Sequence, residues 1–155
     1  LIAFETLPEL REAEALLRLL EYYPEQQAWF SFSARDEARI SAGAQIEEVG
    51  HLLSGHPQVA ALGINCTPPG YINGLLRRLS AVTDLPLLAY PNSGEGWDAK
   101  NRCWIPESRA PRGFGDWPQQ WVEAGAQMIG GCCRTSPEDI AALCQWREQH
   151  GRPGT

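Results

Sequence analysis

Apolar positions along the 155-residue chain switch repeatedly between two spacings. "LIAF" (1–4) is a short unbroken run; after Thr6 and Pro8, the residues Leu10, Ala13, Leu16, Leu17 and Leu20 recur at helical spacing. The proline fits a first helical turn, where its missing N–H has no intrahelical partner. "AWFSFS" (28–33) alternates as a strand does, and Ile46, Val49, Leu52 and Leu53 mark a second helix face. "VAALGINC" (59–66) is nearly continuous, the pattern of a strand covered on both faces of a parallel sheet. Thr67 and Pro68 then read as the N-cap and first residue of a helix that buries Ile72, Leu75, Leu76 and Leu79. "PLLAYP" (86–91) is a fourth strand, and the polar, glycine-containing stretch from Asn92 to about Gly113 reads as a long functional loop. A helix carrying Phe114, Trp117, Trp121 and Val122 follows, then a last strand, "AQMIGG" (126–131). Ser136, Pro137 and Asp139 open a final helix with Ile140, Leu143 and Cys144 inward.

Five successive strand–helix units predict an α/β fold with parallel strands and right-handed crossovers. Two architectures satisfy that pattern, an open doubly wound sheet and five eighths of a (β/α)8 barrel, and periodicity does not choose between them. In both, chemistry collects at the carboxyl ends of the strands. Glu5, Cys66, Asn92, Cys132 and Cys133 all fall there.

Composition narrows the chemistry. The chain is 43% hydrophobic, enough for one core, so residues 1–155 read as a single domain. A net charge of -6, with its basic residues scattered, argues against nucleic acid or an anionic membrane as partner. No apolar run reaches the roughly 18 residues of a membrane span, and Glu5 interrupts the opening too early for a signal peptide, which predicts a soluble, cytoplasmic protein. Five cysteines, an odd number, fit no fully paired disulfide framework, so reduced thiols are expected. The first residue is not methionine and the first four already resemble a strand interior, from which a preceding segment is expected.

The adjacent pair Cys132–Cys133 stands out, because neighbouring cysteines seldom bridge each other: bridged Cα atoms prefer a separation of about 5.5 Å. Burial, redox chemistry and metal binding remain as explanations. Cys66 ends one strand and the pair ends another; in a barrel these face one mouth, and three thiolates leave a tetrahedral zinc with one open position. An all-sulfur set suits a further thiolate, hence a thiol substrate. Gly63, Gly130 and Gly131 precede these cysteines and permit close backbone approach. Cys103 lies in the long loop and, like Cys144, is not expected to bind metal. His51, His56 and His150 fall at helix ends or in loops, where a solvated role is expected. Trp117 and Trp121 share a helix face as core residues, whereas Trp97 and Trp104 sit in the loop, where they can cover a ligand.

The strings "FETLPEL" (4–10), "GINCTPP" (63–69), "YPNSGE" (90–95) and "GGCCRTSPEDI" (130–140), in this order, resemble the homocysteine S-methyltransferase family. The likeness is greatest to its branch using S-methylmethionine or S-adenosylmethionine, and it spans essentially the whole chain. It implies the barrel architecture, with this chain supplying about the last five strand–helix units. It also implies zinc (Zn2+) held by Cys66, Cys132 and Cys133, homocysteine and a sulfonium methyl donor as substrates, and methionine as product. Glu5 matches a glutamate that holds the amino group of homocysteine in the family; its plainer reading is a carboxylate stabilising a helix N-terminus. Asn92 is expected to line the same mouth as a substrate-binding residue. The family's first three strands, and an Asp-Gly motif in them, have no counterpart here, so an N-terminal barrel half or a second copy is expected to complete the sheet. A non-catalytic zinc or thiol module and a vicinal-dithiol redox protein are the competing expectations.

Overall fold

The structure, a computed structural model, describes residues 1–98, 100–105 and 109–151. Its elements follow the predicted alternation: β1 (Ile2–Leu7), α1 (Leu10–Glu21), β2 (Ala28–Phe32), α2 (Ile46–Leu53), β3 (Val59–Asn65), α3 (Pro69–Ser80), β4 (Leu87–Tyr90), a hairpin of β5 (Gly96–Asp98) and β6 (Cys103–Ile105), α4 (Trp117–Glu123), β7 (Ala126–Ile129) and α5 (Pro137–His150). Among the described residues, β1, β2, β3, β4 and β7 form one parallel sheet in chain order. An open doubly wound sheet reverses its order at a switch point. The unbroken order is that of a (β/α)8 barrel, and it decides between the two architectures that periodicity left open.

Register explains which side chains face the helices. Phe4, Phe30, Leu62 and Leu87 pair across β1 to β4 and form one row; Phe32, Ile64, Ala89 and Ile129 form the next. Against these rows pack Ala13, Leu17 and Leu20 of α1, Ile46, Val49 and Leu53 of α2, and Ile72, Leu75, Leu76 and Leu79 of α3, all buried. The other face is mixed, with Ala3, Trp29 and Ala61 in one row and Ser31, Gly63 and Leu88 in the next. Gly63 is required there, because a Cβ would collide with the Leu88 carbonyl oxygen. No helix among the described residues is long and apolar enough to cross a membrane.

Several local expectations change: Pro8 precedes Glu9, the N-cap of α1, and Phe114 lies before the start of α4 at Trp117. Thr67 does not cap α3; the N-cap is Pro68, with extended ψ of 133°. A residue preceding proline is pushed out of the helical region, so Pro69 moves the helix start one residue on. The buried Thr67 hydroxyl instead donates to the Asn65 carbonyl (2.9 Å) and accepts from the Ala34 N–H (2.9 Å). The stretch after Asn92 is not wholly irregular, since β5 and β6 pair antiparallel within it. Val122 is exposed while its neighbour Trp121 is buried, because one residue turns about 100° on a helix. On α5 the inward residue is Leu143; Ile140 and Cys144 are exposed. The start of α5 is as expected, with Ser136 and Asp139 forming a reciprocal capping box.

Candidate metal centre

The segment continuing β4 is the scaffold on which two cysteine-bearing turns hang. Cys66, one residue past β3, donates its backbone N–H to the Tyr90 carbonyl (3.2 Å). On the other side the Cys132 N–H reaches the Pro91 carbonyl (2.8 Å), and the Ser93 N–H reaches the Cys133 carbonyl (3.0 Å). Cys66 occupies the left-handed region at φ 48°, which turns the chain sharply as it leaves the sheet. After the pair, Arg134 is also left-handed (φ 66°), and the Thr135 hydroxyl and N–H both donate to the Cys132 carbonyl. Gly131 is needed for this turn, since a Cβ would strike the Thr135 side chain.

These two turns bring three thiols together. The sulfurs of Cys66, Cys132 and Cys133 all lie within 4.8 Å of one another, and Cys66 and Cys133 are 3.3 Å apart. Thiolates around a tetrahedral zinc, with Zn–S of about 2.3 Å, stand about 3.8 Å from each other. The cluster thus fits a metal ion in both chemistry and spacing, and all three sulfurs are soft donors.

The thiols differ in acidity. The Cys66 thiol is raised far above the ordinary range by the hydrogen bond it makes with Cys132, by burial, and by its contact with Cys133. Cys132 is lowered, first because it accepts from Cys66, then through the Cys133 N–H and the Asn65 amide, against an opposing effect of burial. One thiolate in a tight group suppresses the ionisation of its neighbours, so the same contact that lowers Cys132 raises Cys66.

Asn65, within the "GINCTPP" string, joins the cysteine cluster to β1. Fully buried at the end of β3, its amide nitrogen lies 3.8 Å from the Cys132 sulfur and donates to the Thr6 hydroxyl (2.7 Å), while its oxygen accepts the Thr6 N–H (2.8 Å). Thr6 is left-handed (φ 60°) at an irregularity in the β1–β2 register between Phe4 and Leu7. Glu5 lies inside that irregular stretch, exposed, and its charge helps to raise the Tyr90 hydroxyl pKa after the larger effect of burial. Tyr90 accepts from the Trp29 indole N–H (3.3 Å) and pairs closely with Ser31. Glu5 thus acts electrostatically on Tyr90, whose hydroxyl meets Trp29 and Ser31 on the non-helical face of the sheet. An asparagine interrupting the apolar run of β3 was the available signal for this network.

Asn92, also buried, builds a turn: its side-chain oxygen accepts the Gly94 N–H (2.8 Å) and its own N–H reaches the Thr67 carbonyl (3.2 Å). With Cys66, Cys133, Trp97 and Trp104 it lines one cavity. Behind the thiol turn, Arg134 holds the nearly inaccessible Glu95 through two bonds (2.8 and 3.1 Å), and Ser93 donates to the same carboxylate (2.7 Å). Arg109 bridges from Glu95 (3.7 Å) to Asp139 (3.3 Å), tying this turn to the start of α5. Cys103 and Cys144 are exposed and outside the cluster.

The chain is similar to known proteins over nearly its whole length. The family model described as Homocysteine S-methyltransferase matches residues 1–147. Homocysteine S-methyltransferase of Escherichia coli (strain K12) is 49% identical over 143 residues, covering 92% of this chain and 46% of that protein. Homocysteine S-methyltransferase YbgG of Bacillus subtilis (strain 168) is 45% identical over 145 residues, covering 94% of this chain and 46% of the relative. The chain thus spans about half the length of these relatives. Among solved structures, the metallated form of the homocysteine methyltransferase MmuM from Escherichia coli superposes with a TM-score of 0.78 at 45% identity, over 94% of this chain and 44% of that one.

Proposed function

Because the chain belongs to the homocysteine S-methyltransferase family, we propose that it takes part in zinc-dependent transfer of a methyl group from a sulfonium donor, S-methylmethionine or S-adenosylmethionine, to the thiol of homocysteine, giving methionine. The observation that carries this reading is the convergence of the Cys66, Cys132 and Cys133 sulfurs within 4.8 Å at the strand ends. A free thiol has a pKa near 8.5 and is mostly protonated at neutral pH. Zinc, when bound by these three residues, supplies an open position at which a substrate thiol is kept ionised.

The chain's own residues do the rest. Asn65 orients the Cys132 sulfur, and the turns at Cys66 and Arg134 fix the spacing of the trio. Glu5 binds the amino group of homocysteine, and Asn92 shapes the wall beside it. Held in line, the homocysteine sulfur forms the new S–CH3 bond while the donor's S–CH3 bond breaks. The bonding pair stays on the donor sulfur, which leaves as a neutral thioether, so no general acid is required; the proton of the substrate thiol goes to solvent. Positioning and exclusion of water are the protein's contribution.

In this reading residues 1–155 are one domain, supplying five consecutive units of an eight-stranded barrel in the cytoplasm. β1 and β7 are the outer strands of the sheet, and Met128 of β7 is 45% exposed. Unpaired strand edges recruit partners, and further strands of the same barrel, or a second copy, complete it. The test is transfer of labelled methyl from S-methylmethionine to homocysteine by the full-length protein. Chelator-sensitive formation of labelled methionine supports the reading; thiol oxidation unaffected by chelators, with no transfer, contradicts it in favour of dithiol redox chemistry.

A further inference from the structure

Trp97 and Trp104 face each other as direct cross-strand partners of the β5–β6 hairpin, with ring centroids 5.2 Å apart and planes at 64°. An edge-to-face pair stabilises such a short hairpin, yet that role needs neither ring to be near the thiols. Here both rings wall the cavity of about 460 Å³ that also holds Cys66 and Cys133, a size usual for small-molecule sites. Trp97 keeps 52% of its surface exposed. An edge-to-face pair leaves at least one π face unoccupied, and a π face attracts cations through its quadrupole.

The surrounding charges permit a cation. Arg134 is adjacent in sequence to Cys133 and would repel a positive ligand, but its guanidinium is bonded twice to Glu95, and Arg109 lies between Glu95 and Asp139. Glu95 lines the cavity, and the two guanidiniums bonded to it are matched by Glu95 and Asp139.

We propose that the Trp97–Trp104 pair is the binding subsite for the positively charged sulfur of the methyl donor. The proposal rests on the methyltransferase reading for the identity of the ligand and adds where its charge is recognised. A sulfonium is cationic before transfer and a neutral thioether after it. An aromatic wall therefore holds the donor and releases the product, a discrimination that an apolar wall lacking π faces does not provide.

Calorimetric titration of S-methylmethionine into the full-length, zinc-loaded protein tests this, with methionine as the uncharged control. Trp104→Leu keeps apolar cover but removes the π face, and its affinity for the sulfonium should fall about 10-fold. Trp104→Phe should fall less, and homocysteine affinity should stay within about twofold in both, as expected for a cation–π contact confined to one wall. Failure of the wild type to bind the sulfonium, unchanged affinity in Trp104→Leu, or equal loss for sulfonium, methionine and homocysteine would each overturn the assignment. Wild-type protein that binds the sulfonium through Trp104 but transfers no methyl group would contradict the methyltransferase reading alone.

Discussion

Cys66 and Cys133, 67 residues apart in the chain, bring their sulfur atoms to 3.3 Å. The backbone sets this closeness: each cysteine turn is hydrogen-bonded to the segment that continues β4, which lies between β3 and β7 in the sheet. Parallel neighbours in chain order deliver their carboxyl ends to one place, and the chain turns sharply at the left-handed Cys66. The fold thus assembles a three-sulfur cluster from two distant strings.

Asn65 links this cluster to β1, so its removal should be felt at both ends. Asn65→Ala deletes two hydrogen bonds to Thr6 and the amide contact with Cys132. Each such bond is worth about 1 kcal/mol, and stability should fall by about 2 kcal/mol. Urea unfolding measures it; a loss below about 0.5 kcal/mol would show that Asn65 anchors neither end.

Glu95 makes a pH-dependent contribution. The Arg134 guanidinium first, then the Ser93 hydroxyl and the charge of Arg109, hold its pKa at about 2 against the usual 4.5. Because the folded value is the lower one, the stabilisation is complete above about pH 4.5 and is lost as pH falls toward 2. The gap in unfolding midpoint between wild type and Glu95→Gln should be constant near neutrality, shrink below pH 4.5 and nearly close at pH 2. A gap of undiminished size at pH 2 contradicts the ion-pair account.

Glu5→Gln preserves shape and removes charge. Homocysteine binding should weaken by about 1.5 to 3 kcal/mol, the value of a hydrogen bond to a charged group, with zinc content unchanged. Calorimetry with unaltered homocysteine affinity would return Glu5 to a purely structural part.

The order of elements was legible in the chain because buried parallel strands and amphipathic helices leave different periods, as in "VAALGIN" against Ile72, Leu75, Leu76 and Leu79. Periodicity left the barrel order open, since it carries no record of which strands are neighbours; the motif strings implied it. Cys66, Cys132 and Cys133 were recognisable from motif strings and strand-end placement. The Arg134–Glu95 pair was not, because it joins loops 39 residues apart through side chains that any surface can carry. The hairpin escaped for another reason: strands of three residues are too short to show alternation. Its one local signal is Asp98, whose carboxylate accepts from the Lys100 and Asn101 N–H groups in the turn.

The most direct test of the central claim is elemental analysis of zinc in the purified full-length protein and its single-cysteine variants. The account predicts one zinc per chain in the wild type, loss of stoichiometric metal in Cys66→Ser and Cys132→Ser, and retention in Cys144→Ser, whose sulfur is exposed and outside the cluster. Full zinc retention in Cys66→Ser would contradict it.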